Sequence, residues 1–118
     1  MGRGSSVAGR VARGDVRFYE FAAPDKRRPV VVLTREGSIG LLATVTVAPI
    51  TSTVRGVPSE VVLNEEDGMK ATCAVNLHNM AVVPLSKLGR RVAQLSSVRM
   101  EEICQALWFA LGCDSPSH

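Results

Sequence analysis

Aromatic side chains are few in this sequence: one tryptophan, one tyrosine and three phenylalanines in 118 residues. That excludes a broad base-stacking surface and leaves Phe18, Tyr19, Phe21, Trp108 and Phe109 as the candidates for any stacking. Cysteine is equally sparse. Cys73, Cys104 and Cys113 form no CxxC pair, and an odd count in a chain that is 46% apolar points to reduced thiols rather than a disulfide framework. Only His78 and His118 accompany them, far from the four closely spaced ligands of structural zinc, so neither a metal nor a cofactor is expected. Long apolar runs are missing too. Charges and turn residues break every stretch well short of the ~18 apolar residues of a membrane span, so no membrane anchor is expected. Residues 1–13 carry Arg3, Arg10 and Arg13 among small residues, lack the apolar core of a secretory signal, and read as a flexible basic leader. The expected location is the cytoplasm.

The length suffices for one domain, expected over 14–113 with a short tail at 114–118. The net charge of +3 is unevenly spread: residues 1–28 hold seven Lys/Arg against three Asp/Glu, and residues 29–118 hold seven against eight. A basic segment beside a neutral body suits an anionic partner, although an ordinary solvated surface reads the same way.

Along the chain, short β patterns dominate. Val16 to Phe21 is rich in β-formers, Pro29 opens the apolar run Val30-Val31-Val32-Leu33, and Gly37-Ser-Ile-Gly40 breaks the chain. Leu41 to Pro49 forms the next strand, with Val45 and Val47 on one face and Thr44 and Thr46 on the other. Glu60 to Leu63 precedes the acidic turn Asn64-Glu-Glu-Asp-Gly68. Cys73 to His78 alternates, which places Ala74, Asn76 and His78 on a shared face. Met80 to Val83 and Val92 to Leu95 complete the strands, separated by a one-turn connector from Pro84 to Leu88. A helix capped by Ser96 or Ser97 and ended by Gly112 is expected to bury Met100, Ile103, Cys104, Leu107, Trp108 and Leu111 along one stripe. With no βαβ alternation and no repeat, six or seven short strands and a terminal helix predict a small, mainly β, antiparallel barrel.

The order of these features resembles the MazF/PemK family of toxin–antitoxin ribonucleases, which includes the Kid toxin and shares a fold with the gyrase poison CcdB. Four pieces carry the resemblance: Gly14-Asp15-Val16; Arg28-Pro29-Val30-Val31-Val32-Leu33; Val45 to Thr51 closed by Pro-x-Thr, with Val57 to Leu63 after it; and Leu88-Gly-Arg-Arg-Val-Ala-Gln-Leu95 with its helix. It implies an SH3-like barrel with a C-terminal helix, a homodimer, and an antitoxin whose flexible acidic segment occupies the RNA groove. It also implies a metal-independent, sequence-selective endoribonuclease acting on single-stranded RNA.

Such cleavage uses the substrate's own 2′-hydroxyl as nucleophile, so the protein must handle protons and stabilise a dianionic phosphorane. The resemblance gives the second task to Arg28, whose fork of donors suits phosphate oxygens; read alone, Arg28 is a turn charge beside Lys26 and Arg27. It gives the orienting hydroxyl to Thr51, otherwise a plain turn residue, with Ser52 and Thr53 as substitutes. Kid-like members carry an arginine and an aspartate where Ala74 and Asn76 stand here, and Asn76 cannot accept a proton at neutral pH. His78, on the same expected face as Asn76 and carrying an imidazole, the side-chain type suited to proton transfer at neutral pH, is the candidate to fill that gap; an exposed strand histidine is the alternative. Arg17, Lys26, Arg27 and Arg55 are candidates to line a phosphate groove or to be ordinary surface charges. The loops Arg35 to Gly40 and Thr51 to Pro58 are the expected base readers. The missing pair at Ala74 and Asn76 keeps open a nucleic-acid-binding barrel without activity, and the shared fold keeps open a topoisomerase poison.

Overall fold

A computed structural model describes residues 11–22 and 26–113. The elements run β1 (Asp15–Glu20), β2 (Arg27–Val32), α1 (Glu36–Ile39), β3 (Thr44–Thr51), β4 (Glu60–Leu63), β5 (Cys73–Asn76), β6 (Ala81–Pro84), β7 (Arg91–Gln94) and α2 (Ser97–Leu111), with single 3-10 turns over 65–67, 77–79 and 85–87. The antiparallel sheet has the order β4-β5-β3-β2-β1-β7, and β6 also pairs with β3.

The eight-residue strand β3 explains the curvature. One edge pairs with β2, setting Val47, Ala48 and Pro49 opposite Val32, Val31 and Val30. Along its other edge the strand pairs first with β6, over Thr44 to Val47, and then with β5 through Ile50 and Thr51. A strand that changes partner midway must bend its sheet, and the result is the small barrel expected from the strand pattern. Both faces are buried over residues 30–32 of β2 and 47–50 of β3, which is why Val30-Val31-Val32 is a continuous apolar run. Val30, Val32, Val45, Val47, Val83 and Leu88 pack in one cluster. Val31, Ala48, Ile50, Leu63, Leu77, Ile103 and their neighbours pack in the other, beneath α2. Each fully buried side chain of this size contributes roughly 1.5–3 kcal/mol.

Several sequence expectations need correction. The chain joins the fold before residue 14: Val11 is buried, the Ala12 N–H donates to Asp15 Oδ2 at 2.9 Å, and the Arg13 guanidinium donates to the Leu33 carbonyl. The remainder of the expected leader and the tail at 114–118 lie outside the described residues. The break at residues 37–40 is a short helix, and β3 is displaced toward Thr51. In α2, Ser96 accepts from the Arg99 N–H at 3.2 Å and Gly112 closes the helix in the left-handed region. The buried stripe differs from the expected one, however: Ile103 and Ala106 are buried, while Trp108 is 55% and Leu111 58% exposed.

Arg17 is the largest departure. It is buried, its Nε lies 3.0 Å from Asp15 Oδ2, and its Nη1 donates to the Gly89 carbonyl at 3.0 Å. Residues two apart share a strand face, so the pair forms within β1 itself. The Gln94 amide and the Ala12 N–H supply further donors to the Asp15 carboxylate, as a buried anion requires. Arg17 therefore lines no groove.

Candidate active site

Arg28 and Thr51 come from neighbouring strands. The β2–β3 register pairs Val30 with Pro49, and continued by two residues it sets Arg28 opposite Thr51. Directly opposed residues project to one face of a sheet. Both side chains accordingly line a single cleft of about 500 Å³, together with Arg27, Ser52, Lys70, Thr72 and Cys73.

The charged residues of this lining are all of one sign, set among the apolar Phe18, Pro29, Ile50, Met69 and Val92. Arg27, Arg28 and Lys70 are cations, Thr51, Ser52 and Thr72 offer hydroxyls, and the described lining residues include neither a carboxylate nor an imidazole. Such a surface attracts a phosphodiester. The Thr51 hydroxyl already accepts the Thr53 N–H at 3.1 Å, which leaves its own proton to be donated to a phosphate oxygen. The Cys73 thiol is pushed up by burial and then by the negative charge of Asp67, so it stays protonated near neutrality.

Lys70 and Thr72 carry no motif of their own, and Cys73 is read from sequence only as a reduced thiol at the start of a strand. They reach the cleft because Gly68, at φ 94°, turns the chain after the acidic 3-10 turn, where an added Cβ would lie 2.9 Å from the Ala93 Cβ. The readable signal was Lys-Ala-Thr after that glycine: one cation among small residues that leave a cleft open. The turn is held from below. Asn64 and Asp67 cap it reciprocally, and Asp67 Oδ1 accepts from Arg99 Nε at 3.0 Å. Burial alone would raise the Asp67 pKa, but the bonds from Arg99 and from the Asn64 N–H outweigh it and hold the carboxyl below its ordinary value.

The other candidates fall elsewhere. Ser52 and Arg27 line the cleft, whereas Lys26, Thr53, Arg55, Asn76 and His78 are not among its lining residues. Lys26 and Thr53 are exposed. Arg55 is exposed as well, its backbone N–H held 3.0 Å from Glu60 Oε1. The expected strand Cys73 to His78 ends at Asn76, because the Asn76 Oδ1 accepts the His78 N–H at 2.9 Å and starts a 3-10 turn. His78 therefore leaves the strand alternation that would have aligned it with Asn76. A second cleft of about 510 Å³ lies between β4 and α2, but Glu60 and Glu102 beside Arg99 make it a poor match for phosphate. Among the described residues no group of three or more His, Cys, Asp or Glu is placed to hold a metal ion, and no helix is long and apolar enough to cross a membrane.

Comparison with known proteins agrees with the fold. The family model described as PemK-like, MazF-like toxin of type II toxin-antitoxin system matches residues 12–111. A Mycobacterium tuberculosis protein named "Probable endoribonuclease MazF5" is 44% identical over 103 residues, covering 86% of this chain and 94% of the relative. The structure of the Mycobacterium tuberculosis toxin MazF-mt6 superimposes with a TM-score of 0.78 at 34% identity, covering 86% of this chain and 99% of that one. An endoribonuclease in complex with its cognate antitoxin, from a mycobacterial species, shares the fold with a TM-score of 0.79 at 24% identity, covering 90% and 99% of the two chains.

Proposed function

The chain belongs to the PemK-like, MazF-like toxins of type II toxin–antitoxin systems, and on that premise we propose that it is a metal-independent, sequence-selective endoribonuclease acting on single-stranded RNA. The observation that carries this reading is the shared cleft of Arg28 and Thr51, rich in cations and hydroxyls. A phosphodiester seated there has its non-bridging oxygens against the Arg28 fork and the Thr51 hydroxyl. The adjacent 2′-hydroxyl gives its proton to a water molecule and attacks phosphorus, the bond to the 5′-oxygen breaks, and that oxygen takes a proton from water. The products are a 2′,3′-cyclic phosphate and a 5′-hydroxyl. Arg28 contributes most where charge on the phosphorane peaks. Recognition of the cut sequence falls to the loop from Ser52 to Pro58, whose residues 52–58 are exposed.

Two partners belong to the same reading. An antitoxin with a flexible acidic segment competes with RNA for the cationic cleft, so neutralisation is occupancy of one surface. A second copy of the chain forms a homodimer, for which the exposed Trp108, Phe109 and Leu111 of α2 offer apolar area. The site of action is the cytoplasm, where the substrate is found.

The test is incubation of the purified protein with a long single-stranded RNA in EDTA, followed by end-group analysis. Discrete fragments ending in 2′,3′-cyclic phosphate that vanish with Arg28→Ala support the reading. RNA left whole by the wild-type protein would overturn it, in favour of a topoisomerase poison or an inactive barrel.

A further inference from the structure

We infer that a nucleotide flanking the scissile phosphate is held beside the main cleft, its base stacked on a platform made by Phe18, Arg27 and Arg90; this rests on the RNA-cutting reading above. Phe18 is half-buried on β1. The guanidinium carbon of Arg27 lies 3.9 Å from its ring centroid and that of Arg90 lies 5.2 Å away. A depression of about 150 Å³ adjoins them, to which Glu20 and Lys87 also contribute. Phe18 and Arg27 line both this depression and the main cleft, so the two are contiguous and an RNA strand held at Arg28 and Thr51 continues across the Phe18 ring.

The platform is built rather than incidental. The Gly89 N–H donates to the Phe18 carbonyl at 2.8 Å, and the Gly89 carbonyl accepts from the buried Arg17 guanidinium at 3.0 Å. A Cβ at residue 89 would stand 3.1 Å from the Phe18 carbonyl oxygen, so a larger residue would push the β1 backbone back by a few tenths of an ångström. Arg90 is thereby presented to solvent from a fixed backbone while its head stays over the ring. Nucleobases stack on aromatic rings and on guanidinium planes with little regard for sequence. Glu20 is the one carboxylate among the described residues of the depression, and it disfavours a second phosphate there. The depression accordingly takes the base, and Arg27, shared with the main cleft, faces the connecting backbone.

The experiment measures anisotropy of labelled single-stranded RNA of mixed sequence, fully 2′-O-methylated so that it cannot be cut, alongside cleavage of unmodified RNA. Arg90→Ala is expected to weaken binding about 10-fold, the scale of one lost stacking contact, and Arg90→Lys to recover little because the planar group is gone. Phe18→Leu should weaken binding similarly, with its unfolding midpoint checked to separate misfolding from lost stacking. Replacing the bases by abasic sites should abolish the difference between wild type and Arg90→Ala. Equal binding by wild type and Arg90→Ala, or full recovery by Arg90→Lys, would overturn the stacking role. Arg90-dependent binding by a protein that cuts no RNA would sink the nuclease reading and leave this subsite standing. Normal cleavage with binding indifferent to Arg90 would sink the subsite alone.

Discussion

The Arg17 guanidinium lies 3.0 Å from the Asp15 carboxylate, and both are buried at the head of β1. Without Arg17 the buried Asp15 carboxylate keeps the Ala12 N–H, the Gln94 amide and Arg91, whose Nη1 stands 3.8 Å away, so the loss should reach at most about 3–5 kcal/mol, the cost of a broken buried pair. Arg17→Ala should therefore lower the stability measured by denaturant unfolding, by no more than that amount. Because Arg17 faces inward, the salt dependence of RNA binding by the folded variant should match the wild type; a shallower salt slope would return Arg17 to the groove.

Arg28 presents the opposite case, a half-buried cation at the cleft. Arg28→Ala should lower cleavage on the order of 100- to 1000-fold, with an unchanged circular dichroism spectrum. Arg28→Lys keeps the charge but not the paired donors, so its rate should fall between the two.

What could be read from the sequence was whatever is fixed locally. The strand Glu60–Leu63 and the helix from its Ser96 cap to Gly112 follow from alternation and capping within a few residues, and the structure keeps both. Arg17 is not legible as an inward residue because residues 14–17 are all buried, so burial does not alternate along the start of β1. Trp108 was misread because α2 is apolar around more of its circumference than the barrel covers, and periodicity alone does not say which stripe is inside. Of the site, Arg28 and Thr51 were legible through the resemblance and through Arg-Pro and Pro-x-Thr. Phe18 was legible as one of five stacking candidates, but Lys70, Thr72 and Arg90 were not, because loop geometry and strand pairing bring them in from distant parts of the chain.

The Asp67–Arg99 pair gives the fold a pH dependence of known sign. Folding lowers the Asp67 pKa, so the unfolded chain takes up the proton first as acid is added. The stabilisation is then complete above the ordinary value of 3.8 and fades as pH falls through it toward the lower folded value. Discounted for solvent exposure, the pair contributes about 0.5–1 kcal/mol. Unfolding of wild type and Arg99→Ala should differ by that much near pH 7, and the gap should close as pH falls below 3.8. A gap that widens in acid would contradict the assignment.

Gly68 couples this turn to the cleft. A side chain there faces both a left-handed backbone, at φ 94°, and the Ala93 Cβ at 2.9 Å. Gly68→Ala should destabilise by about 1–3 kcal/mol and, by shifting Lys70 and Thr72, lower kcat in the fraction that folds. Unaltered kcat and midpoint would mean that the turn tolerates displacement.

The central claim is that Arg28 and Thr51 serve one phosphodiester, and a double-mutant cycle tests it most directly. The measurement is kcat/KM on a single-stranded RNA for wild type, Arg28→Ala, Thr51→Val and the double variant. Groups acting on one phosphate are non-additive, so the double variant should be scarcely worse than Arg28→Ala, with a coupling energy above about 1 kcal/mol. Losses that simply add would place the two groups on separate tasks and contradict the account.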